Sequence, residues 1–196
     1  WGRRGIYIRA ISAIDISIWD IRCKNYHLPL YQFLGGLNKK IPVYASGGYY
    51  KLEPGVDEVE AIAEEMQGHV NAGFSAAKMK IGIDLQLDIE RMRAAREILG
   101  TKRKLFVDVN NGWRLNELTP NLISQIEKIG IDWIEEPFMP DSIEENISLR
   151  EKTNIPIANG EILSTRWDFK QLLETNSCDI WQPDVTVLGG VSEWNK

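Results

Sequence analysis

The chain has 196 residues, 43% hydrophobic and 26% charged, which holds one sizeable core and excludes disorder and low complexity. A net charge of -5 excludes the basic face by which nucleic acid is bound. There is no apolar run of about 18 residues and no secretion-signal pattern at the start, so no membrane partner is expected.

Cys23 and Cys178 lie far apart with no C-x-x-C, so neither a zinc site nor a disulfide framework is expected, and two unpaired thiols fit a reducing cytoplasm. The chain starts at Trp1 without methionine and stops at Lys196 just after an apparent helix start, GGVSEW. It reads as a fragment of a longer polypeptide.

In chain order, a first helix near 10–24 carries Ile11, Ile14, Ile18 and Ile21 at steps of three or four. Then short apolar runs alternate with amphipathic stretches. Strands are expected at IPVYAS (41–46), SAAKMKI (75–81), KLFVDVN (104–110), DWIEEP (132–137), IPIANGE (155–161) and DIWQPDV (179–185). Helices are expected near 57–72, 84–99, 116–129, 142–152 and 165–175. In the 84–99 stretch Leu85, Ile89, Met92 and Ile98 share one stripe, and Gly100 supplies the stop.

Strand then helix, repeated with short connections, means parallel strands with right-handed crossovers. An open doubly wound sheet or a closed α/β barrel of the TIM type both satisfy this. No Gly-x-Gly-x-x-Gly follows a strand, which removes the main support for the dinucleotide-binding open sheet. From the second strand onward each strand ends in a residue able to do chemistry: Lys80, Asp108, Glu135, Glu161 and Asp184, separated by 28, 27, 26 and 23 residues. In a barrel these ends ring one mouth, where barrel enzymes keep their active sites.

Asp108, Glu135 and Glu161 are therefore expected as neighbours. Clustered carboxylates repel unless a cation sits among them, and oxygen-only ligation favours a hard ion such as Mg²⁺. Lys78 and Lys80 are two apart on a strand and leave the same face. Like charge beside a lysine lowers its pKa toward the range of a general base, so the pair is expected to be a base with a helper. Asp184 could be a further ligand or the orienter of a histidine. His27 and His69 fall in expected helices or their ends and read as structural.

At these residues the sequence resembles the enolase superfamily, in its mandelate racemase-like branch with many acid-sugar dehydratases. The motifs are K-x-K in KMKIG, Asp-x-Asn in VDVNNGW, WIEEP, the Gly-Glu of ANGEIL, and QPDVTVLGGVSEW; AISAIDISIWDIRCK and LPLYQFLGG are similar to the segment leading into the family's barrel.

The resemblance implies a (β/α)₇β barrel in the parent, with about six βα units here. Residues 1–9 would be the tail of an absent N-terminal capping domain, 10–40 a linker helix, and 41–196 the partial barrel. It implies Mg²⁺ held by Asp108, Glu135 and Glu161. Lys80 would be the base that removes the proton α to a sugar-acid carboxylate, with Lys78 beside it, and water would leave through a metal-stabilised enediolate. Asp184 would pair with a histidine on the seventh strand, and Asn110, two residues past Asp108, would contact substrate or a metal-bound water. Glu136 would point away by strand alternation and serve structurally. Racemisation or epimerisation of a 2-hydroxy acid on the same scaffold, and an inactive metal-binding fragment, are the alternatives. The expected partners are a small-molecule carboxylate and further copies of the chain in a homo-oligomer. The fragment alone is expected to be catalytically incompetent.

Overall fold

Side-chain caps start the helices Glu58–Asn71, Leu85–Leu99 and Pro120–Ile129, and glycines stop the last two of these, in the computed structural model, which describes residues 2–37 and 40–196. Trp1, Asn38 and Lys39 lie outside the described residues, the last two inside the stretch expected to lead into the barrel. The six strands are β1 (Ala45–Gly47), β2 (Ala76–Lys80), β3 (Lys104–Asp108), β4 (Trp133–Glu135), β5 (Ile157–Asn159) and β6 (Ile180–Trp181). They form one sheet in sequence order. Each pair from β1–β2 to β4–β5 is parallel, in the register Ala77↔Leu105, Lys80↔Asp108 and Asp108↔Glu135.

The chain divides into two compact units. The first, Val43–Asn159 with Asn176–Ile180, holds β1 to β5 and helices α3 (Glu58–Asn71), α4 (Leu85–Leu99), α5 (Pro120–Ile129) and α6 (Ile143–Arg150). Asp57 caps α3 by accepting from the Val59 and Glu60 N–H groups, and Asp84 caps α4 through Leu87. Gly100 stops α4 at φ 65°. The helix expected over 116–129 splits into a 3₁₀ turn, Leu115–Glu117, and α5. Pro120 drives Thr119 to an extended ψ of 155°, and the Thr119 hydroxyl then caps Leu122.

The core of this unit packs Ile62 and Met66 of α3 and Ile89, Met92 and Ala95 of α4 with Met79, Leu105, Val107, Ile134 and Ile157 of the sheet, all 2% exposed or less. Fully burying one such side chain is worth about 1.5–3 kcal/mol.

The strands are shorter than expected because backbone breakers stand at their ends. Pro42 and Pro156 cannot donate to a ladder. β3 stops before Asn110 and Asn111, at φ 48° and 63°, β4 before Glu136 at 45°, and β5 before Gly160 at 121°. After Asp108 and Glu135 the positive-φ residues turn the chain out of the sheet, whereas in β5 the turn comes at Gly160, before Glu161.

The second unit, Trp1–Pro42, Gly160–Thr175 and Trp181–Lys196, contains α1 (Ile6–Asn25), α2 (Leu30–Phe33), α7 (Thr165–Thr175) and α8 (Val191–Trp194). Polar groups dock α1. Ser12 Oγ donates to Ile8 O and accepts from Gly189 N at 2.8 Å, Asp15 accepts from Ser192 N at 3.0 Å, and Trp19 Nε1 donates to Ser192 Oγ at 2.9 Å. The isoleucine stripe lies on a different face. Ile11, Ile14, Ile18 and Ile21 are 49–65% exposed. None of the helices is long and apolar enough to cross a membrane among the described residues.

Candidate active site

Lys78 and Lys80 leave the same face of β2, as their spacing requires, and both meet the Asp108 carboxylate opposite on β3. Lys80 Nζ lies 2.5 Å and Lys78 Nζ 3.1 Å from Asp108 Oδ2. Lys78 also pairs with Glu135 Oε1, one strand further on. Asp108 and Glu135 are 0% exposed and Lys78 is 7%. The site is therefore a buried cluster of two ammonium groups and two carboxylates at the C-terminal ends of three adjacent strands.

One turn of the strand pleat below it is an aromatic layer. Phe106 and Trp133, each two residues before its carboxylate, stack with centroids 3.5 Å apart and planes 9° from parallel. Tyr44 meets both edge-on at 5.3 and 5.6 Å, and its ring lies 5.9 Å from the Lys78 ammonium. Trp133 Nε1 donates to Glu135 Oε2 at 3.3 Å. Tyr44 and Trp133 were not among the residues singled out in the sequence. The i, i+2 spacing of Trp133 and Glu135 in WIEEP is the signal that would have found the second.

Electrostatics correct one expectation. Burial alone pulls the Lys78 ammonium down, but the hydrogen bond to Glu135 and the charges of Glu135 and Asp108 outweigh it, and its pKa is raised. The two acids facing the pair outweigh the repulsion expected from the neighbouring lysine. Asp108 shows the complement. Burial pushes its carboxyl up, while the Lys80 hydrogen bond and the Lys78 charge hold it below the usual range.

The other singled-out residues sit as follows. Asn110 is exposed; the alternation that put it on the face of Asp108 ends with β3, and its backbone N–H donates to Asp108 Oδ1 at 3.0 Å. Glu136 is 1% exposed, and its Oε2 lies 3.5 Å from Asn111 Nδ2. Glu161 is half-buried in the turn before α7, and Asp184 is half-buried with Oδ1 accepting from the Thr186 N–H and hydroxyl, both at 2.7 Å. Both belong to the second unit.

No three His, Cys, Asp or Glu side chains are gathered to hold a metal ion among the described residues. The lysine pair neutralises Asp108 and Glu135. The donor set nonetheless fits a hard divalent ion. Two fully buried carboxylates stand in register on adjacent strands, and Mg²⁺ commonly takes one or two protein carboxylates with water and substrate completing its shell.

Residues 61–196 match the family described as Enolase C-terminal domain-like. The chain belongs to this family. Its parallel sheet with alternating helices is the barrel-type domain of the enolase superfamily. Among curated relatives, the arabinonate dehydratase of Saccharolobus solfataricus is 38% identical, over 100% of this chain and 52% of its own length. Among solved structures, the 3,6-anhydro-D-galactonate cycloisomerase from Zobellia galactanivorans superimposes with a TM-score of 0.88 at 34% identity, covering 100% of this chain and 53% of that one. A racemase from Streptomyces coelicolor A3(2) with bound magnesium gives 0.88 at 33% identity, over 99% of this chain and 53% of that one. The chain thus spans about half the length of the relatives it matches.

Proposed function

We propose that this enolase-family chain is part of a Mg²⁺-dependent dehydratase that removes the proton α to the carboxylate of a sugar acid and expels a β-hydroxyl as water. The observation that carries the reading is the buried Lys78–Lys80–Asp108–Glu135 cluster at the strand ends. The likeness to an arabinonate dehydratase supports the reaction class.

Asp108 and Glu135 would hold the Mg²⁺, with water and substrate completing its shell. When bound, the ion supplies concentrated positive charge where oxygen-borne charge develops as the proton leaves. Lys80, nearer the strand end and more accessible than Lys78, with side chains 15% and 9% exposed, is the base. Lys78 keeps its proton through Glu135 and acts as a fixed cation for the substrate carboxylate. Asn110 contacts substrate at the rim, and Asp184 orients an imidazole supplied from outside these residues.

The test is a panel of aldonic and aldaric acids with the full-length protein, read as a 2-keto acid trapped by semicarbazide. Dehydration that a chelator abolishes supports the proposal; no keto acid from any member, with full metal loading, removes it. Racemisation is the second reading, favoured by the likeness to a magnesium-bound racemase. It would give inversion and solvent exchange without keto acid.

A further inference from the structure

Helix α4 carries two charged residues, Asp88 and Arg91, each 1% exposed, on the face that packs against the sheet. Burying charge is costly unless every group is paired, and aliphatic side chains would pack this helix at no such cost. Their partners show what the charges achieve. Arg91 Nη1 donates to the carbonyl of Lys80 at 2.8 Å and Nη2 to the carbonyl of Gly48 at 2.6 Å. Asp88 Oδ2 accepts from the N–H of Gly82 at 2.8 Å, and Oδ1 accepts from the Tyr50 hydroxyl. The Tyr50 ring lies flat against Arg91, with the guanidinium carbon 3.8 Å from its centroid.

All of these contacts fall where the β1 and β2 ladders have just ended. Lys80 is the last residue of β2 and Gly48 the first beyond β1. Between Gly48 and Tyr50 stands Tyr49, 64% exposed, its ring 5.8 Å from the Lys80 ammonium. Burial and the bond to Asp88 both hold the Tyr50 phenol up, in the protonated form that donates.

We propose that Asp88, Arg91 and Tyr50 form a clamp that ties the two strand ends to α4 and thereby positions Lys80, with Tyr49 beside it, for proton abstraction. Its catalytic consequence rests on the function proposed above. Arg96, further along the same helix, supplies the contrast. It donates to the carbonyls of Gly100, Arg103 and Gly130, at the N-terminal side of β3 and β4. In barrels that side serves stability and the opposite side chemistry.

The clamp is tested with Asp88→Asn and Tyr50→Phe, of which the second removes one oxygen and keeps the ring on Arg91. Arg96→Lys is the control. Amide hydrogen exchange reads the strand ends, calorimetry reads Mg²⁺ affinity, and kcat and KM read the chemistry. In both clamp variants, exchange over 47–50 and 80–83 rises together by about tenfold, the loss of one buried hydrogen bond. Their kcat falls by on the order of 10- to 100-fold, as for a reacting group displaced by a fraction of an ångström to an ångström. Their KM and Mg²⁺ affinity stay within about threefold, a shift too small for a lost ligand. Arg96→Lys lowers Tm and leaves kcat unchanged. Exchange that rises in only one segment or in neither, or wild-type kcat in both clamp variants, overturns the proposal. A wild-type protein inert toward every sugar acid, with exchange still rising at both segments together, upholds the clamp and removes the dehydratase reading.

Discussion

Lys78 and Lys80 share one oxygen of one carboxylate, Asp108 Oδ2, at 3.1 and 2.5 Å. Two ammonium groups this close on one strand face repel, and the Asp108 and Glu135 charges hold them together. The cluster is neutral in sum, which allows it to be buried. Removing one member leaves an uncompensated charge.

Lys78→Met is therefore expected to destabilise the protein by about 3 kcal/mol, because Glu135 keeps its burial and loses its cation. Urea unfolding measures this. Saturating Mg²⁺ should recover part of the loss, since a ligand bound only to the folded state adds to its stability.

Gly48→Ala tests the strand end from the backbone side. The φ of Gly48 is +64°, and a Cβ there would stand 2.6 Å from Met79 Cβ and 2.9 Å from Met79 Cα. The clash is partly with backbone, and relief would have to move β2. A loss of at least about 2 kcal/mol is expected, compounded of strain and overpacking, and a thermal melt reads it.

Arg150 and Asp179 give a pH dependence. Burial pushes the Asp179 carboxyl up, but the Arg150 hydrogen bonds and charge and the Ile157 N–H outweigh it, and its pKa is lowered. A carboxyl with a depressed folded-state pKa adds stability above its unfolded value, about 3.9, and loses it as pH falls through the folded one. The pair is partly exposed, with side chains 22% and 33% accessible, so the contribution at neutral pH is about 1 kcal/mol at most. Asp179→Asn should show that deficit at pH 7, and the gap from wild type should close as the pH approaches 2.

The strand–helix beat was legible because it rests on local chemistry. Asp57, Asp84 and Thr119 cap the starts of α3, α4 and α5, and Gly100 and Gly130 stop α4 and α5. Lys80, Asp108 and Glu135 fell at strand ends for the same reason, since Gly82 follows β2, Asn110 and Asn111 follow β3 and Glu136 follows β4, all at positive φ.

What stayed hidden was tertiary. The apolar stripe of α4 was read through Leu85, Ile89, Met92 and Ile98, yet the buried face runs through Asp88, Ile89, Arg91, Met92, Ala95 and Leu99. Periodicity counts apolar residues and discards buried charges, so the clamp was missed. The isoleucines of α1 show the converse, a regular stripe whose own unit docks the helix by another face. The raised Lys78 pKa was out of reach because it depends on which acids the register places opposite it.

The most direct test of the account is α-proton exchange in deuterated water, with Mg²⁺ and a sugar acid that the wild-type protein turns over. Lys80→Ala is expected to abolish both exchange and keto-acid formation while Mg²⁺ affinity stays within about threefold, because the ligands remain. Undiminished exchange in Lys80→Ala would contradict the account, since the proton would then be leaving to some other group.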